Sequence, residues 1–142
     1  MHSKTILLVE DDYLDVMSVQ RTLNKLKLNH ILKVAHNGVD ALAILNGNNP
    51  EKVKIMPDII LLDINMPKMN GLEFLSIIKN YYSLKNIKVF IMTTSNEEYD
   101  HLMAQNLGVN GYILKPLDFT NVEKDNSATS ILKELLINDS IN

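Results

Sequence analysis

The fold of this chain is decided by residues 59–67, which read IILLDINMP. A continuous apolar run of this length is typical of a strand that is buried on both faces of a parallel sheet. The run ends at Asp63, and Pro67 and Gly71 then interrupt regular structure. Asp63 is therefore predicted at the carboxyl end of a buried strand, which is the edge of an open parallel sheet where ligands bind.

Further apolar runs of strand length alternate with helical patterns along the whole chain. Strands are predicted at residues 4–9, 31–35, 59–62, 87–92 and 111–114. Strands that alternate with helices through short connections indicate a parallel sheet covered by helices on both faces. The predicted fold is a three-layer α/β sandwich, with a five-stranded parallel sheet in the flavodoxin-like order 2-1-3-4-5 and five helices.

Capping residues predict where the helices begin and end. The apolar residues after Tyr13 recur at steps of three and four, which predicts a helix as far as Lys27. Capping roles are predicted for Asn37 and Gly47 in the second helix, Asn70 with Glu73 in the third, Ser95 with Glu98 and Gly108 in the fourth, and Asp118 after the fifth strand.

Composition narrows the class of protein. At 142 residues and 46% hydrophobic content, the chain is expected to be one domain, residues 1–142, with its core at about 4–122 and a C-terminal helical segment at about 127–138. We expect no output domain. The absence of cysteine excludes thiolate chemistry, and a net charge of −3 with Arg21 as the single arginine argues against direct nucleic-acid binding.

No apolar run reaches the ~20 residues that a membrane-spanning helix needs. The chain also starts without a leader-like segment. We therefore expect a cytoplasmic protein that does not associate with a membrane.

Polar side chains follow several of the predicted strands directly. Glu10 and Asp11 follow the first strand, Thr93 ends the fourth, and Lys115 follows the fifth. In the predicted strand order these residues share one pocket with Asp63. Carboxylates that lie close together repel by about 4 kcal/mol per pair at an effective dielectric constant of about 20, so the group must bind a proton or a cation.

Oxygen ligands alone suit a hard cation, and a few carboxylates with water suit Mg²⁺ better than Ca²⁺. A magnesium site of this kind usually also binds phosphate oxygens, and Lys115 and Thr93 could neutralise and hold a phosphoryl group. Asp63 is then either another metal ligand or a nucleophile that forms an aspartyl phosphate. The chemistry of these residues leaves both roles open.

Four segments together resemble the receiver domain of two-component response regulators. They are LVEDD at 8–12, LDINMP at 62–67 with Asn70-Gly71, MTTS at 92–95, and GYILKP at 111–116. The resemblance implies a phosphorelay protein that accepts a phosphoryl group from a sensor histidine kinase on Asp63, in a magnesium-dependent reaction. It also implies a signalling protein that catalyses only this transfer and a slow hydrolysis of its own aspartyl phosphate.

The same resemblance implies roles for individual residues. Asp11 would bind magnesium directly, Glu10 through water, and Asn65 through its backbone carbonyl, beside Asp63. Thr93 and Lys115 would hold the phosphoryl oxygens, and Tyr112 would switch its rotamer with Thr93. The output face around the fourth helix and fifth strand would then change for an effector or phosphotransfer protein.

A narrower resemblance is to the stand-alone regulators that are paired with bacterial phytochromes, which implies a possible homodimer. The family resemblance also suggests a cis bond between Lys115 and Pro116. Asp12 and Asp15 lie outside the family motif, and we interpret them as charges at a helix start. The polar loop 47–54 has no readable role.

Three other functions compete with this interpretation. A receiver-like module could act through protein contacts without phosphorylation, although every motif position is filled. A flavin carrier on this fold would need a phosphate cradle after the first strand, where Glu10 and Asp11 would repel phosphate. An aspartate-nucleophile phosphatase would need a second carboxylate where Asn65 stands.

Overall fold

The computed structural model describes residues 3–52, 54–66, 68–81, 87–105, 107–120 and 127–137. Its strands are β1 (Lys4–Val9), β2 (His30–Ala35), β3 (Ile59–Asp63), β4 (Lys88–Thr93) and β5 (Gly111–Leu114). Its helices are α1 (Tyr13–Asn24), α2 (Gly38–Asn46), α3 (Gly71–Tyr81), α4 (Asn96–Ala104) and α5 (Ala128–Ile137).

All strands pair in parallel, in the order β2-β1-β3-β4-β5. The predicted fold class is therefore confirmed. Every residue of β3 is buried, as expected for the central strand of a sheet that is covered on both faces.

Two hydrophobic clusters lie on opposite faces of the sheet. Ile60 and Leu62 point into the cluster that includes side chains of α2, α3 and α4. Ile59 and Leu61 point into the cluster that includes side chains of α1 and α5. Because successive side chains of a strand alternate between faces, one apolar run supplies both cores.

Most of the predicted caps are present. The side chain of Asn37 accepts from Asp40 N at 2.8 Å, as predicted. Asp12, which was expected only to place a charge at the helix start, also caps α1, because its side chain accepts from the Leu14 and Asp15 amides. At α3 both bonds of a capping box are made: Asn70 Oδ1 accepts from Glu73 N at 2.9 Å, and Glu73 Oε1 accepts from Asn70 N at 3.0 Å. Gly47 ends α2 with a φ of 79°.

The predicted capping box at α4 is only half formed. Ser95 Oγ accepts from Glu98 N at 3.1 Å, but Ser95 N donates to Thr93 Oγ1 at 3.2 Å instead of to the Glu98 carboxylate. The side chain of Glu98 therefore does not close this box, and it takes other partners that are described below.

Two helix ends differ from the predictions. Helix α1 ends at Asn24 rather than at Lys27, because the Leu26 and Lys27 amides donate only three residues back and Lys27 then adopts a positive φ of 54°. Helix α4 ends at Ala104, before Gly108, because Gln105 N donates to Leu102 O and closes a tighter turn. Asp118 Oδ1 accepts from Thr120 N at 2.9 Å, and the segment that it was expected to cap, 121–126, lies outside the described residues.

The C-terminal helical segment predicted at about 127–138 corresponds to α5. The Lys115–Pro116 peptide bond is cis. Among the described residues, no helix combines the length and the apolar character that crossing a membrane would require.

Candidate metal centre

The acidic residues meet where β1 and β3 end. Val9 is paired with Leu62, so Glu10 and Asp63 follow side by side. Glu10 N donates to Ala35 O at 2.8 Å, which holds this residue in line with β1 beyond the end of the strand. Glu10 and Asp63 are buried, with 1% and 6% of their surfaces exposed, whereas Asp11 is exposed.

One carboxylate oxygen from each of Glu10, Asp11 and Asp63 lies within 4.8 Å of the others. Such a set of hard oxygen donors fits a divalent cation of the magnesium type. The sequence-predicted acidic cluster is thus brought together in space, with one open side at Asp11.

Lys115 extends from the end of β5 into the same cluster. Its Nζ donates to Glu10 Oε1 at 2.6 Å, to Asp15 Oδ2 at 3.0 Å and to Asp63 Oδ1 at 3.2 Å. Its backbone amide donates to Thr93 O at 2.7 Å, which fixes the start of the side chain against β4. Only 10% of the side chain is exposed, so this lysine is an internal counter-ion rather than a solvated surface charge.

The interpretation of Asp15 as a charge at the helix start is confirmed, since Asp15 lies in the first turn of α1, but it is incomplete. Asp12 does cap α1, but Asp15 forms an ion pair with Lys115. Asp15 lies four residues before the buried Val19, so both occupy the inward face of α1. A carboxylate on the apolar face of a helix was the signal in the sequence that could have identified it.

Burial is the largest influence on the pKa values of Glu10 and Asp63. It raises the pKa of Glu10 from 4.5 to about 7, while the hydrogen bond from Lys115 opposes the change and the charge of Asp63 adds to it. Burial also raises the pKa of Asp63, against the influence of Lys115. Desolvation penalises the charged form of both groups, so a bound cation would stabilise their ionised state.

Burial alone lowers the pKa of the Lys115 ammonium, but its hydrogen bonds to Glu10 and Asp15 outweigh burial, and that pKa is raised. Lys115 is therefore positively charged at neutral pH. Its single charge faces Glu10, Asp15 and Asp63, and Asp11 is a further carboxylate of the cluster. Once these groups ionise, the site carries an excess of negative charge that a divalent cation can offset.

Thr93 lies at the end of β4 and is 2% exposed. Its hydroxyl donates to the carboxylate of Glu98, in the first turn of α4. The same carboxylate accepts from Asn65 Nδ2 at 3.1 Å. Sequence reasoning assigned Glu98 only to a helix cap and missed these contacts. Glu98 lies four residues before the buried Leu102, and this spacing was again the available signal.

Tyr112 lies on β5 opposite Ile91, two residues before Thr93 on β4. Since side chains two residues apart share a face, Tyr112 and Thr93 are diagonal neighbours on one face of the sheet. The ring of Tyr112 packs against the core, and its hydroxyl accepts from Leu107 N at 3.3 Å. Tyr112 is half-buried and anchored to the segment between α4 and β5.

The protein is thus a doubly wound α/β protein with carboxylates and a lysine at the carboxyl ends of its strands. Residues 6–125 match the model of the response regulator receiver domain family, and the chain belongs to that family.

Individual relatives agree with this assignment. Response regulator Rcp1 of Synechocystis sp. is 37% identical over 121 residues, which are 85% of this chain and 82% of Rcp1. The solved Mn²⁺-bound form of Rcp1 has a TM-score of 0.74 at 35% identity and covers 94% of this chain and 95% of its own.

Two more similar solved structures are those of phytochrome response regulators. The bacteriophytochrome response regulator AtBRR has a TM-score of 0.77 at 35% identity, over 94% of both chains. The phosphorylated cyanobacterial phytochrome response regulator RcpA has a TM-score of 0.75 at 31% identity, over 99% of this chain and 98% of its own. These similarities support the narrower resemblance to phytochrome-associated regulators.

Proposed function

We propose that this protein is a single-domain response regulator that accepts a phosphoryl group on Asp63 from a phosphohistidine of a sensor kinase. One observation carries the proposal: the buried Asp63 carboxylate lies 3.2 Å from Lys115 Nζ and shares an oxygen cluster with Glu10 and Asp11. Phosphoryl transfer needs a nucleophile that lies beside a fixed positive charge and beside carboxylates that can bind a metal cation.

In the transfer, a carboxylate oxygen of Asp63 forms a bond to phosphorus as the bond between phosphorus and the donor's imidazole nitrogen breaks. The donor's imidazole carries a proton on its other ring nitrogen, so it leaves with the electron pair of that bond as a neutral histidine side chain. Asp63 becomes an acyl phosphate. No oxidant, reductant or further substrate is required, so the reaction balances with these two partners alone.

Lys115 and Thr93 have separate tasks in this proposal. The Lys115 ammonium, already at the Asp63 carboxylate, shifts its hydrogen bond to a phosphoryl oxygen and stabilises the developing charge. The Thr93 hydroxyl donates to a second phosphoryl oxygen. The backbone amide of Lys115 donates a hydrogen bond of 2.7 Å to Thr93 O, which fixes the positions of the two residues relative to each other.

Magnesium would be held by Glu10 through water, by Asp11 and Asp63 directly, and by the backbone carbonyl of Asn65. When bound, it neutralises charge on the phosphoryl oxygens. The Mn²⁺-bound structure of Rcp1 and the phosphorylated structure of RcpA support the proposal that this protein binds a divalent cation and is phosphorylated.

Phosphorylation would change the output face formed by α4 and β5, with Thr93 and Tyr112 as the moving residues. A charge change at one site that shifts a two-state element is a common form of switch. An effector, a phosphotransfer protein or a second copy of this chain would recognise the changed face. The slow hydrolysis of the aspartyl phosphate, with water near Asn65 and Ser95, would reset it.

The deciding experiment is the intact mass of the purified protein after incubation with a small-molecule phosphoryl donor, with and without Mg²⁺. We expect one phosphoryl adduct, only with Mg²⁺, in the wild type and in Asp58→Asn, and none in Asp63→Asn. Asp58 is a suitable control because it is an exposed aspartate at the opposite end of β3. An adduct that persists in Asp63→Asn would refute the assignment of the phosphoacceptor. A folded wild type that binds Mg²⁺ but forms no adduct would favour the interaction-module alternative.

A further inference from the structure

We propose that Glu98 is a positioning residue that holds the Thr93 hydroxyl in the unphosphorylated protein and must release it before Thr93 can bind the phosphoryl group. This inference rests on the proposed phosphorylation of Asp63. Glu98 lies outside the acidic cluster and outside the family motifs that the sequence showed. Its carboxylate contacts two residues of the site, Thr93 and Asn65.

The contact is not a by-product of helix capping. In a complete capping box, as Asn70 and Glu73 form at α3, the glutamate accepts from the amide of the capping residue. At α4 the Ser95 amide donates to Thr93 Oγ1 at 3.2 Å. The Glu98 carboxylate is therefore turned towards the ends of β3 and β4 rather than back onto its own helix.

A hydroxyl carries one hydrogen, so Thr93 can donate to one acceptor at a time. In the present structure that acceptor is Glu98. Binding of a phosphoryl oxygen requires Thr93 to give up this charge-assisted bond, which belongs to the stronger class of hydrogen bonds. The phosphoryl group and the Glu98 carboxylate thus compete for the same proton.

Glu98 also joins three parts of the chain. Its side chain accepts hydrogen bonds from Asn65 in the loop after β3 and from Thr93 at the end of β4. Its backbone amide donates a hydrogen bond to Ser95 Oγ at the start of α4. When Thr93 turns to the phosphoryl group, α4 loses one of these connections to the site. The competition for the Thr93 proton lowers the affinity of the site for the phosphoryl group. It also means that binding of the phosphoryl group changes the contacts of α4.

The test uses the beryllium trifluoride anion with Mg²⁺, a mimic of the phosphoryl group, and measures its dissociation constant by calorimetry. We expect Glu98→Ala to bind it about five to ten times more tightly than the wild type, because the competing acceptor is gone. Glu98→Gln, which keeps the shape but loses the charge, should fall between them. The neighbouring exposed Glu97 serves as control, and Glu97→Gln should stay within about twofold of the wild type.

A second comparison separates competition for Thr93 from a general effect of charge. In a Thr93→Val background, which removes the hydroxyl, Glu98→Ala should change the dissociation constant by less than about twofold. The inference is overturned if Glu98→Ala matches the wild type, if Glu97→Gln has the same effect, or if the effect survives in the Thr93→Val background. If the wild type itself fails to bind the anion with Mg²⁺, the proposed function fails and this inference with it.

Discussion

The Lys115 ammonium lies 3.0 Å from the carboxylate of Asp15. Asp15 lies in the first turn of α1 and not at the end of a strand. The other two partners of Lys115, Glu10 and Asp63, follow or end strands of the sheet. The lysine therefore connects a helix of one outer layer to the edge of the central sheet. This connection makes Asp15 part of the electrostatics of the site.

Asp15→Asn is expected to lower the free energy of unfolding by at most about 1 kcal/mol, because an ion pair that remains partly in contact with solvent is weak. The Asp15 side chain is 36% exposed, and Lys115 keeps its bond to Glu10. Lys115→Ala should cost about 3 kcal/mol, since it leaves two buried carboxylates without their cation. Urea unfolding of metal-free protein at mildly alkaline pH measures both changes. A loss for Asp15→Asn as large as that for Lys115→Ala would contradict the ranking.

Stability without metal is expected to fall as the pH rises. The folded-state pKa of Glu10 is raised from 4.5 to about 7, so the folded protein holds this proton more tightly than the unfolded chain does. The contribution of Glu10 is fully present below 4.5 and is lost as the pH rises through 7. Asp63 shifts in the same direction. Urea unfolding across this range, repeated on Glu10→Gln, isolates the effect, which should be smaller in the variant.

Magnesium affinity is expected to rise with pH over the same range, because the cation and the proton compete for the same carboxylate. With the pKa of Glu10 at about 7, the apparent association constant should rise about tenfold between about pH 6 and about pH 8. Calorimetric titration with MgCl₂ at several pH values measures this dependence. Equal slopes for the wild type and for Glu10→Gln would show that Glu10 does not govern it.

Gly71→Ala should damage the site although alanine favours helices. A Cβ at Gly71 would lie 2.4 Å from the backbone oxygen of Asp63 and 2.9 Å from Ile64 Cα, and these backbone atoms have little freedom to move. We expect a loss of about 2 kcal/mol in unfolding free energy, against a propensity gain of about 1 kcal/mol, together with slower formation of the phosphoryl adduct.

Gly38→Ala is the matched control for this variant, because it also places a Cβ at the start of a helix. There the nearest atoms belong to the flexible side chain of Met69, at 2.7 to 3.0 Å, and they can move aside. The loss of stability should be smaller than for Gly71→Ala, and the phosphoryl adduct should form at the wild-type rate. Similar losses for the two variants would show that the backbone of Asp63 is not the decisive contact.

The architecture can be derived from the sequence alone, because the apolar run 59–62 requires cover on both faces and parallel strands bring their carboxyl ends to one edge. The convergence of Glu10, Asp63 and Lys115 followed from that topology. The helix ends did not follow from the sequence: α1 and α4 stop before Lys27 and Gly108, because their last turns are decided by backbone conformations that local residues only bias.

Which carboxylates the Lys115 ammonium and the Thr93 hydroxyl donate to depends on how the helices pack on the sheet. Lys115 had several carboxylates within reach of its long side chain, and packing of α1 against the sheet added Asp15 to them. The Thr93 hydroxyl could have donated to an acceptor within its own turn, but it donates to the carboxylate of Glu98 on α4 instead. Hydrogen bonds depend on distances of a few tenths of an ångström, and those distances are set by how helices pack on the sheet, which no local pattern encodes.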